Sequence, residues 1–160
     1  MIKILSGISL VLFCLSAFGA GGYEHGSGPL EVFDADGIAA TPLWVKIWLG
    51  ILVATFALGL VFVRRKPIAR WATGGFVAGA VLGGFIFSAL GLPFLGGSIS
   101  IVHIVFWAPA FILLVTRRPF LDETEGTFYR VWSATMTSAM LFSFTFDFRD
   151  AYIYISHLIS

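Results

Sequence analysis

The sequence predicts an all-α membrane protein, an antiparallel four-helix transmembrane bundle preceded by a signal peptide or an uncleaved fifth helix. Three observations lead there. Four apolar stretches run through residues 43–63, 71–92, 98–116 and 131–146, and the first three have or approach the roughly 20 residues that cross a bilayer core as a helix. Hydrophobic residues make up 58% of the 160-residue chain and charged ones 12%, too little polar surface for a soluble domain of this size. The basic residues fall almost entirely in alternate gaps between the stretches.

Residues 1–19 read as a signal peptide or signal anchor. Lys3 supplies one positive charge, an apolar run extends from Ile4 to Phe18, and small residues Ala17 and Gly19 stand where a signal peptidase reads. The run is short and no stop-transfer charges follow, which favours cleavage after Gly19. Residues 20–42 then form a periplasmic amino-terminal segment, 43–146 the four-helix domain, and 147–160 a periplasmic amphipathic tail.

Charge bias orients the four helices. Arg64, Arg65, Lys66 and Arg70 fill the first gap, and Arg117, Arg118 and Arg130 the third, so seven basic residues face the cytoplasm. The opposite side receives Glu24, Glu31, Asp34 and Asp36, an uncharged turn at residues 93–97, and Asp147, Arg149 and Asp150. Both mature termini are therefore expected outside, in a bacterial inner membrane. Short connections make sequence neighbours antiparallel.

Each helix carries one distinguishing feature. Helix one opens at Pro42 with Trp44 and Trp48 one turn apart for the headgroup belt. Its Lys46 is expected to snorkel into the headgroups, with Asp147 or Asp150 as the alternative partner. Helix two holds Gly75, Gly79 and Gly83, a triple small-residue repeat that lets another backbone approach, inside this bundle or on a second protein. Helix three carries His103 one turn inside its outer end and Pro109 at mid-length, where it removes a backbone hydrogen bond. Helix four is rich in hydroxyls (Ser133, Thr135, Thr137, Ser138, Ser143, Thr145), which suits the bundle centre or a partner.

If helix four continues, Asp147, Asp150, Tyr154 and His157 share one face at spacings of 3, 4 and 3. The topology brings His103 and Lys46 to the same side. This group has three readings. Arg149 pairs locally with an aspartate and the tail lies on the membrane. Alternatively, Asp147, Arg149, Asp150 and Tyr154 form a docking surface. Finally, His103, Asp147, Asp150 and His157 hold zinc, manganese or iron, or relay protons.

Several classes are disfavoured. A net charge of +1 without a long basic run gives no case for nucleic-acid binding, and the single cysteine, Cys14, precludes an intrachain disulfide. No acid sits at mid-depth in a helix, no paired histidines suit a b-type haem, and Asp34-Ala35-Asp36-Gly37 lacks the remaining ligands of a calcium loop, so it reads as a turn. No catalytic set and no cofactor is expected. The reading favoured is a non-catalytic assembly subunit of a membrane complex, with the lipid bilayer and other membrane subunits, or further copies of itself, as partners. The alternatives are an oligomeric transporter or channel component lined by the hydroxyls of helix four, and a metal- or haem-binding redox subunit using His103.

Overall fold

The computed structural model describes residues 22–160. They form five helices and no strand: α1 (Ala35–Ala40), α2 (Leu43–Gly59), α3 (Pro67–Ala89), α4 (Gly96–Arg117) and α5 (Thr127–Ile159). The signal-peptide expectation lies outside the described residues. Two helices, α3 and α4, are long and apolar enough to cross a membrane; α2 is apolar but shorter.

Local chemistry sets most of the boundaries. Asp34 accepts hydrogen bonds from the amides of Asp36 (3.1 Å) and Gly37 (2.9 Å), so the segment expected as a turn nucleates the short helix α1 instead. Pro67 occupies the first turn of α3, where its missing amide costs nothing. Helix α4 ends at Arg118, whose φ of 47° is the left-handed conformation that stops helices. Pro109 stays inside α4.

The start of α4 is capped by the amino-terminal segment. The amides of Gly96 and Gly97 donate to the carbonyls of Glu31 (2.9 Å) and Pro29 (2.8 Å). Ser98 Oγ accepts from the Leu95 amide at 2.8 Å and donates to the Leu95 carbonyl at 2.6 Å. These partners satisfy donors that a helix start otherwise leaves open.

Helix α4 packs against α3 on one side and α5 on the other, and α2 closes the arrangement by touching α3 and α5. The glycine repeat is used within the chain. Gly75 lies against the Phe106 carbonyl, and Cβ atoms at Gly79 and Gly83 would come within 3.1 Å and 3.0 Å of Val102. One core gathers Phe56, Trp107, Leu114, Trp132, Met136 and Met140. A second, around the start of α4, gathers Val32, Phe87, Leu95, Val102 and Tyr154.

Helix α5 runs unbroken for 33 residues, about 50 Å at 1.5 Å per residue. The tail at 147–160 is thus the end of this helix rather than a separate piece. Its buried stripe continues through Met136, Met140, Ser143, Asp147, Ala151 and Tyr154, so the apolar periodicity carries an aspartate into the seam. The outward faces are apolar as well: Ile47, Ile51, Val81, Phe85, Val105, Ile112, Leu141 and Phe142 are all exposed.

Candidate functional site

The polar group worth most attention lies between α4 and the carboxyl-terminal half of α5. His103, about two turns into α4 from its glycine-rich start, meets Asp147 across the seam with Nδ1 at 3.2 Å from Oδ1. A carboxylate offers only acceptors, so Nδ1 carries the hydrogen and donates. The imidazole also stacks on the Trp107 indole, with centroids 3.9 Å apart and planes 17° from parallel. The ring is thereby held on one face and at one nitrogen. Antiparallel packing explains the meeting, since it places the first turns of α4 level with the later turns of α5.

Asp147 is buried at 6% exposure, and its second oxygen, Oδ2, has no hydrogen-bond partner among the described residues. Asp150 follows one turn later, and its buried Oδ1 is also unpartnered. Arg149 is the nearest cation, but its Nη1 stays 3.8 Å from Asp150 Oδ1 and its side chain is 68% exposed. That distance is an ion pair of the loose, solvated kind, not a hydrogen bond. Burial pushes the Asp150 carboxyl above its ordinary range; Arg149 opposes this and the Asp147 charge adds to it.

Tyr154 is fully buried and donates to the Pro93 carbonyl at 2.7 Å, tying α5 to the connection between α3 and α4. Its phenol, pushed up to about 12 mainly by burial and then by Tyr23, stays a neutral donor through the physiological range. His157 points elsewhere: its Nε2 is 3.2 Å from the Tyr23 hydroxyl of the amino-terminal segment. Of the expected quartet of His103, Asp147, Asp150 and His157, the structure pairs His103 with Asp147, sets Asp150 one turn beyond and bonds His157 to Tyr23 instead. Among the described residues, the ligand atoms that come within 4.8 Å of one another are those of His25, Asp34 and Asp36. Asp34 is already engaged there by the α1 cap and by His25 Nδ1 at 3.0 Å.

Other expected features resolve into local bonds. Lys46 Nζ donates to the Ala39 carbonyl at 2.9 Å, ending α1, rather than to Asp147 or Asp150. Four of the six α5 hydroxyls turn back on their own helix: Thr135, Thr137 and Thr145 donate to the carbonyls four residues earlier, and Ser133 to that of Arg130. At the opposite end of the molecule, Lys66 pairs with Glu125 and lies 4.8 Å from the Tyr129 ring centroid.

Sequence reasoning missed Trp107 as the platform for His103, Pro93 as the acceptor for Tyr154, and Tyr23 as the partner of His157. Trp107 had a signal, since residues four apart share a helix face. The other two depend on the path of irregular segments. No family model, curated protein or solved structure matches this chain.

Proposed function

We propose that this protein spans the bacterial inner membrane four times through α2–α5, with both mature termini outside, and serves as a non-catalytic assembly subunit of a larger membrane complex. The observation that carries this reading is the length of α5 combined with what its free face exposes. From Arg130, a bilayer core about 30 Å thick takes up about 20 residues of helix. The helix continues to Ile159, beyond the reach of lipid tails. Phe148, at the edge of that core, and Tyr152, Ile155 and Ile159, beyond it, are exposed at spacings of 4, 3 and 4, one continuous face beside the buried Asp147–Ala151–Tyr154 stripe.

An apolar helix face that outruns its bilayer calls for another protein surface. The occupant that suits it is an apolar helix of a neighbouring membrane subunit, because the stripe prolongs the exposed apolar side chains Leu141, Phe142 and Phe146 nearer the bilayer. The glycine face no longer serves as the docking element, since α4 occupies it.

Native mass spectrometry of the gently extracted protein tests this reading. Stoichiometric polypeptides that disappear in a Tyr152→Lys, Ile159→Lys double variant, with membrane insertion retained, support it. A lone chain, or the same partners in the variant, would rule out this surface.

A further inference from the structure

We propose that His103, Asp147 and Asp150 form a proton-binding site that latches the extension of α5 to α4. The case rests on donor accounting. Two buried carboxylate oxygens, Asp147 Oδ2 and Asp150 Oδ1, find no donor among the described residues, and a buried acceptor without a donor is costly. The donors nearby are already spent: His103 Nδ1 on Asp147 Oδ1, Tyr154 on Pro93, Ser98 on Leu95 and Ser100 on Gly96. Arg149 is out of hydrogen-bond range. A proton on Asp150 turns one of the two unpartnered acceptors into a donor and removes one of two like charges set three residues apart on a helix.

The groups facing the site are few. His103 comes from α4, Arg149 and Tyr154 from α5 itself, and Tyr23 and His157 lie beyond Tyr154. The connection that passes Tyr154, residues 90–95, holds nothing titratable. On the side of the amino-terminal segment, the Glu31 carboxylate is engaged by the Gly28 amide. The upward pressure of burial on the Asp150 carboxyl agrees with a retained proton. A metal fits less well, because the imidazole and the two carboxylates do not bring three ligand atoms within 4.8 Å of one another.

The latch has mechanical consequences. Gly97 sits directly against the Asp150 backbone carbonyl and Tyr154 Cβ; the Asp150 side chain keeps 20% of its surface in contact with solvent, whereas the buried Asp147 carboxylate gains water only if α5 moves away from α4. Loss of the proton places two negative charges in the seam and loosens the extension. This inference does not depend on what binds that extension.

Infrared spectroscopy of the full-length protein in lipid nanodiscs, across a pH titration, reads the proton directly. The expected result is a protonated carboxylic C=O band that persists above the ordinary carboxylate range, shifts in D2O, fades as pH rises further and is absent in Asp150→Asn. That variant, with a permanent N–H donor, should also flatten the fall in melting temperature with rising pH. If Asp150→Asn does not fold, Arg149→Gln carries the test on an exposed side chain. Removing the cation should move the loss of the band to higher pH, and an unmoved midpoint would overturn the proposal. So would a spectrum with no such band, a band unchanged in Asp150→Asn, or one equivalent of tightly bound metal in its place.

Discussion

Helix α4 is held on its α3 side by glycine and on its α5 side by polar side chains, and the two seams respond to change differently. On the first side Gly75, Gly79 and Gly83 remove side chains so that Val102 and Phe106 settle against backbone. Nothing titrates there, and the contact is one of shape and dispersion. On the second, the apolar stripe of α5 is interrupted by Asp147, which His103 answers, and by Tyr154, which reaches Pro93. Close packing gives a seam sensitive to added volume, whereas polar pairing gives one sensitive to a lost partner and to pH.

The largest effect should come from breaking the glycine seam. Gly75→Leu directs a side chain into the Phe106 carbonyl, for which no rotamer offers relief, and should cost about 3 kcal/mol or more. The check is the yield of monodisperse protein after extraction. Gly79→Ala faces only the Val102 methyl at 3.1 Å and should be clearly milder.

On the polar side, Asp147→Ala removes the acceptor for His103 in a partly buried place and should cost about 1–3 kcal/mol by thermal unfolding. Asp147→Asn, which keeps an acceptor, should cost less. Tyr154→Phe deletes one hydrogen bond and should cost about 1 kcal/mol. The smallest effect belongs to Lys46→Met, whose bond to Ala39 is exposed and contributes within about 0.5 kcal/mol.

The comparison sharpens with pH. Asp150 is raised above its ordinary 3.8 when folded, so the unfolded chain gives up this proton first. The stability it contributes is fully present below about 3.8 and falls as pH rises from there through the folded value. Asp34 runs the other way. The Gly37 amide leads the groups that lower it, so its contribution is present above the ordinary value and is lost as pH falls through the folded one. Melting curves should lose the decline with rising pH in Asp150→Asn and the decline with falling pH in Asp34→Asn. A glycine-seam variant such as Gly79→Ala should shift both arms together.

The legible part of this fold was the part with a period. The long apolar runs marked α2, α3 and α4 to within a few residues at most ends and the four-residue spacing of glycines marked a close crossing, whereas the 3-4-3 spacing after Asp147 marked one face only on the condition that the helix continues. Helix depth grouped His103 with Asp147, Asp150 and His157, but which of them it meets was not legible, because 44 residues separate His103 from Asp147 and no period relates that pair. The capping of α4 by Pro29 and Glu31 was hidden for a different reason. Those bonds come from backbone carbonyls in an aperiodic segment, so no side-chain pattern records them.

The central claim is that the polar end of α4 and α5 faces outward while the Lys66–Glu125 end faces the cytoplasm. In a Cys14→Ser background, single cysteines at Ser27, Ser160 and Glu123 can be challenged in intact cells with a membrane-impermeant maleimide. The account predicts labelling at Ser27 and Ser160 without permeabilisation, and at Glu123 only after it. Labelling of Glu123 in intact cells, or protection of Ser27 and Ser160, would contradict it.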